Sequence, residues 1–321
     1  MTDLDSITLA AGDATISLVP ALGGKIASLH LAGREWLWTS DVIPHAAPTE
    51  AVAADDDVSY VRTADTGGYD ECFPTVGPCT VPAGVPGYGG LRLPDHGELW
   101  SQRPAVTVER AAGRESATAT WEGRRMPYAF TRTATVHADG RVELAYAATN
   151  RGRDAMPFLW SAHPLLPLTA RTRLVLPDGA RMRVYAEHGL SLGGPRSEHQ
   201  WPLAEVGGVA RSFTRPAEVA EGYACKLFLD LPGGRHRLAV EESDARLTVD
   251  VDAAEVPHFG LWVNNRGWTP FEGGTPYANF AFEPCIGAPD TLDDALGAWR
   301  AAPSLAPGET RRWTLVWRGE S

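Results

Sequence analysis

Residues 128–149 read YAFTRTATVHADGRVELAYAAT. Two runs rich in β-branched and aromatic residues, 128–137 and 141–149, flank Ala-Asp-Gly. Asp139-Gly140 is a strong hairpin dipeptide, because both residues tolerate the positive φ that a tight turn demands. The stretch predicts two antiparallel strands. Similar short runs recur at 6–10, 14–19, 25–31, 106–109, 117–121, 173–176, 226–231, 236–242, 246–251, 258–263, 277–282 and 312–317, with an alternation at Trp36 and Trp38. Turn residues such as Gly12-Asp13, Gly23-Gly24 and Ala32-Gly33 separate the early ones.

Helical periodicity is scarce. Residues 292–300 form the one credible helix, with Thr291 placed to cap it and Asp294 three residues on, as in a capping box. Residues 41–60 hold Pro44, Pro48 and Asp55-Asp56-Asp57 without sustained periodicity and read as a surface loop, as does the Pro/Gly-rich segment 80–94. Many strands without βαβ alternation predict an all-β sandwich. No repeat or linker divides the chain, so residues 1–321 are expected to form one domain.

The 321 residues are 44% hydrophobic and 21% charged, ordinary globular composition. Twenty-nine basic against 40 acidic side chains leave a net charge of −11, which repels phosphate backbones and offers no footprint for nucleic acid. The start, MTDLDSITLA, lacks the basic and apolar regions of a secretory leader, and no run reaches the roughly 18 apolar residues that cross a bilayer. A cytoplasmic protein with no membrane partner is expected. Cys72, Cys79, Cys225 and Cys285 are too scattered for a disulfide scaffold or a zinc site and are expected to be reduced thiols.

Phosphate-binding loops, nucleophile elbows and zinc helices are missing from the sequence. What stands out instead are polar residues in apolar or turn-rich contexts: Asp70 and Glu71 in GGYDECFP, His96 in DHGELW, His163 in SAHPLL, and Glu283 in NFAFEPCIG. His163 and Glu283 each precede proline at the end of an apolar run. Proline favours extended geometry before it and removes a ladder donor, so both are expected at strand ends, on the rim of a pocket. Trp262 and Trp100 are core candidates whose faces could also stack on a sugar ring.

Taken in order, LVPALGGKIASL (18–29), GREWLW (33–38), His96-Gly97, His163-Pro164, Glu283-Pro284 and Pro289-Asp290 give the chain a resemblance to the aldose 1-epimerase, or galactose mutarotase-like, superfamily, over nearly its whole length. The resemblance implies a β-supersandwich with few short helices, a monosaccharide or related carbohydrate in an open cleft, and no metal or redox cofactor. By motif, Glu283 would be the general base and His163 the acid toward the ring oxygen, with His96 as a second ring-oxygen contact. Asp70, Glu71, Lys226, Trp262 and Asn264 are further candidates for sugar contacts. Mutarotation requires one proton to reach the ring oxygen while another leaves the anomeric hydroxyl, so an acid and a base must flank one edge of the sugar. Thr66 precedes Gly67-Gly68 where related hexose-6-phosphate epimerases carry arginine, a departure that bears on phosphosugar use. The alternatives are a non-catalytic carbohydrate-binding protein of the same fold and a hexose-phosphate 1-epimerase.

Overall fold

A computed structural model describes residues 4–321; the first three residues of the segment read for a leader lie outside it. The opening hairpin forms as Tyr128–His137 against Val142–Asn150, with Val136 opposite Val142 and Tyr128 opposite Asn150. Val142–Asn150 alternates buried and half-buried positions along its length, the signature of a strand with one face on a core. This hairpin lies in an eight-stranded antiparallel sheet, between Arg114–Glu122 and the C-terminal strand Thr310–Glu320.

A larger, 13-stranded sheet covers it. Its central strands run in the order Lys25–Leu31, Tyr69–Cys72, Trp160–Pro167, Ala278–Ile286, His258–Asn265, Tyr223–Asp230 and Arg181–His188. Aromatic side chains seal the two sheets together: Tyr146 and Trp313 stack at 5.4 Å within the smaller sheet, and Trp160 of the larger sheet meets them at 4.8 and 4.9 Å. Burial of each such side chain contributes on the order of 2 kcal/mol.

Three expectations need correction. Pro164 and Pro284 end no strand: Trp160–Pro167 and Ala278–Ile286 run straight through them. Between those strands the ladder pairs Ser161 with Cys285, lapses, and resumes at Leu165 with Ala281, so each missing N–H falls where pairing is already interrupted. The helix stops at Leu296, before Gly297, and the Thr291 hydroxyl donates to Asp294 Oδ2 at 3.0 Å instead of capping the backbone. The loop at 41–60 contains the short helix Glu50–Ala54 and ends where a second, Tyr60–Thr63, begins, and Asp56 and Asp57 are neutralised by Arg125 and Arg92. All four cysteines are free, Cys79 half-buried and the others buried.

Candidate active site

The register of the central strands lays out the site. Asp70 is opposite His163, and Glu283 is opposite Gly260. The pairing of Ser161 with Cys285 and of Leu165 with Ala281 sets His163 level with Glu283 on the neighbouring strand. Side chains alternate across a strand, so Asp70, His163 and Glu283 share the sheet face turned away from the sandwich core. Lys226 lies on the same face one step along, opposite Trp262.

Glu283 is fully buried, and Lys226 is 5% exposed. Lys226 Nζ donates to both oxygens of Glu283 at 2.6 Å and stands 3.3 Å from Asp290 Oδ1; the Ser161 hydroxyl donates to Glu283 Oε2 at 3.0 Å. Burial works against the Lys226 cation, but the Asp290 and Glu283 charges outweigh it and hold its pKa above the usual lysine range. Gly260 makes the room: a Cβ there would meet Glu283 Oε2 at 3.0 Å. Gly260→Ala is therefore expected to destabilise the protein by about 1–3 kcal/mol through overpacking, read as a lowered urea midpoint. An unchanged midpoint would mean that the glycine is not required for the ion pair to fit.

Beside this cluster lies a cleft of about 390 Å³, lined among others by His96, His163, Lys226, Asp65, Asp95 and Asp290. Its size falls in the range of about 300–1,000 Å³ common for small-molecule sites. His96 adopts a left-handed backbone, φ 59°, next to Gly97 at φ 72°, a strained geometry of the kind that persists where surrounding structure fixes it. Its Nδ1 is 2.8 Å from Asp95 Oδ1, and its ring stacks on Tyr60 at 4.1 Å. Burial pulls the His96 pKa down, yet the Asp95 charge and hydrogen bond raise it above the ordinary histidine value. His163 takes the opposite course: burial, with His96 and Lys226 nearby, drives its pKa well below that value, and its Nδ1 is buried without a partner. The two rings meet edge to face at 5.0 Å.

Of the residues singled out in the sequence, His96, His163, Lys226 and Trp262 reach the cleft wall. Glu283 lies one layer behind it, under Lys226. Asp70 is also behind, bound by Lys25 Nζ at 2.5 Å and by the Tyr60 hydroxyl. Glu71, expected beside Asp70, points the other way because adjacent strand residues face opposite sides; it is buried between the sheets on Arg132, at 3.2 Å. Asn264 is not in the wall of this cleft: its Oδ1 accepts from Gly267 N and Trp268 N at 3.1 Å, and its amide donates to Trp268 O at 2.9 Å. It thereby fixes Trp268, which packs edge-on to Trp262 at 5.7 Å in the cleft wall.

Sequence reading passed over Asp290, Asp65, Tyr60 and Trp268. Asp290 was visible only as part of a motif. Its backbone carbonyl accepts from Val76 N at 2.9 Å and Gly77 N at 2.7 Å, contacts made more than 200 residues apart in the chain.

The two-sheet antiparallel sandwich, with its cleft on the outer face of the larger sheet, has the galactose mutarotase-like fold. A galactose mutarotase-like protein from Lactobacillus casei aligns with a TM-score of 0.60 and 16% identity over 98% of this chain and 100% of its own. A candidate aldose 1-epimerase from Klebsiella pneumoniae aligns at TM-score 0.69 and 14% identity, covering 98% of this chain and 78% of its own. Another from Escherichia coli K12 aligns at 0.64 and 17%, covering 98% and 99%. No protein-family model and no curated protein sequence matches the chain. Among the described residues, no helix is long and apolar enough to cross a membrane.

Proposed function

We propose that the cleft binds the pyranose form of an aldose and interconverts its anomers by acid–base ring opening and closure. The observation that carries this reading is the convergence, in one cleft, of an imidazole pair with opposed protonation tendencies and a carboxylate cluster gathered on Lys226. Pairs of titratable groups pushed apart by their surroundings mark an acid and its counterpart. His96, whose pKa the Asp95 charge and hydrogen bond raise, is the member of the pair that delivers a proton to the ring oxygen. His163, kept neutral, contacts that oxygen or its neighbouring hydroxyl. The roles of the two histidines are thus exchanged relative to those implied by the motif. The Lys226 cluster, to which Glu283 belongs, receives the anomeric proton, and Trp262 and Trp268 offer faces for the sugar ring.

Three aspartates line the cleft, among the described residues no arginine does, and the nitrogen of Lys226 is already shared by two carboxylates. A phosphate dianion would meet net repulsion, which favours a neutral sugar over a phosphorylated one. A second reading, sugar binding without turnover, draws support from the sealed position of Glu283.

Exchange NMR on a panel of neutral aldoses and their 6-phosphates separates these readings. Accelerated anomer exchange of a neutral aldose is expected, with His96→Asn lowering kcat by about 10²-fold as for a lost general acid. Saturable binding without acceleration selects the second reading, and preference for phosphosugars overturns the charge reasoning.

A further inference from the structure

We propose that Asp290, not Glu283, is the carboxylate that takes the anomeric proton, and that Glu283 acts on it through Lys226 as a positioning residue. The inference rests on reading the cleft as an aldose site, and it reassigns the base within that site.

Access separates the two acids. Glu283 has no exposed surface: Lys226 occupies both its oxygens and Ser161 donates to one of them. A general base must come within hydrogen-bond reach of the proton it takes, and the Lys226 ammonium stands in the way. Asp290 belongs to the cleft wall, with its side chain 17% exposed. Its placement is rigid, because its carbonyl accepts from Val76 N, Gly77 N and, at 3.3 Å, the Thr75 hydroxyl.

Charge separates them too. Both hydrogen bonds of the Lys226 ammonium go to Glu283, whereas Asp290 Oδ1, 3.3 Å from the nitrogen, is an ion-pair contact that accepts no hydrogen bond. Lys226 and Glu283 largely cancel each other, leaving Asp290 as the cluster's uncompensated basic group. The titratable groups around Asp290 are Lys226, Glu283, His96, Cys72, Cys285 and, from the strand Arg181–His188, Tyr185. Burial pushes the Asp290 carboxyl up to about 6, Lys226 opposes this, and Glu283 adds to it. A base with that value is ionised at neutral pH and can still hold a proton during the step.

In the step itself, the anomeric O1–H proton passes to an Asp290 oxygen, and the freed pair forms the C1=O1 bond. The C1–O5 bond breaks and its electrons stay on O5, which takes the proton of His96. Rotation about C1–C2 and the reverse sequence return both protons and give the other anomer.

The test uses the full chain and exchange NMR on the neutral aldose turned over fastest by the wild type. If the wild type accelerates no aldose, the functional reading falls and this assignment with it. With an active wild type, Asp290→Asn is expected to lower kcat by about 10²-fold or more, with KM little changed, and to abolish the acidic limb of the rate profile near pH 6. Asp290→Glu should restore part of the rate, which distinguishes a lost base from a lost fold. Glu283→Gln should lower kcat less and move the acidic limb to lower pH, since the charge that raises the Asp290 pKa is gone. An Asp290→Asn variant with near wild-type kcat, or a Glu283→Gln variant that alone loses turnover, overturns the assignment.

Discussion

Lys226→Met is expected to cost about 3–5 kcal/mol of stability at neutral pH, the usual penalty for stripping one partner from a buried ion pair. In the folded protein Glu283 and Asp290 would then face each other across an apolar side chain, with no cation to separate their charges. At least one would take up a proton, its folded pKa rising above the unfolded value. Stability tied to a raised acid pKa is present below the unfolded pKa and is lost as pH rises through the folded one. The deficit measured by urea unfolding should therefore be larger at pH 8 than at pH 5. The wild type lacks this slope from Lys226 itself: its raised pKa keeps it charged throughout that window. In Lys226→Met/Glu283→Gln one of the two stranded charges is removed, and part of the loss should return. A deficit below about 1 kcal/mol, the scale of exposed pairs, would mean that water solvates the cluster.

The second large effect lies on the opposite face of the same sheet. Arg132→Met should also cost about 3–5 kcal/mol at pH 8, because Glu71 would lose its charge partner between two sheets. The pair sits 3.2 Å apart, with the Tyr146 hydroxyl donating to Glu71 at 3.0 Å and the Trp160 indole at 2.9 Å. Burial raises the Glu71 carboxyl to about 7 even against Arg132 and these donors. Its folded pKa thus exceeds its unfolded one, and the sign follows directly: its contribution is full below the unfolded value and declines as pH rises toward about 7. This one proton can add a slope of at most about 1.4 kcal/mol per pH unit. Glu71→Gln should remove that part of the wild-type pH dependence while preserving the Arg132 environment better than Arg132→Met does. Identical pH slopes in wild type and Glu71→Gln would show that Glu71 stays ionised throughout.

Asp70 and Glu71 mark how far linear reading reaches. Two adjacent acids between glycines and aromatics look like one polar patch, yet a strand sends one toward the cleft layer and the other into the core. The period of 2 was legible; which phase faced solvent was not, because both faces of this strand are covered. The strands at 198–212 were missed for a related reason: they lie at the end of the larger sheet and are largely exposed, so their composition carries little apolar alternation. The hairpin at 128–149 was read nearly to the residue, since its turn dipeptide and its alternating faces agree.

From the sequence alone came the all-β class and most central strands, because turn chemistry and alternation are local properties of the chain, and a short set of polar residues that stood out in apolar contexts. Tertiary structure alone decided which of those residues touch the cleft. Lys226 and Glu283 lie 57 positions apart, and Asp290 is held by backbone groups near residue 76. Whether a carboxylate is open to a ligand or closed off by an ammonium depends on strands that pair across such distances, and burial and charge pairing are fixed only once those strands have met.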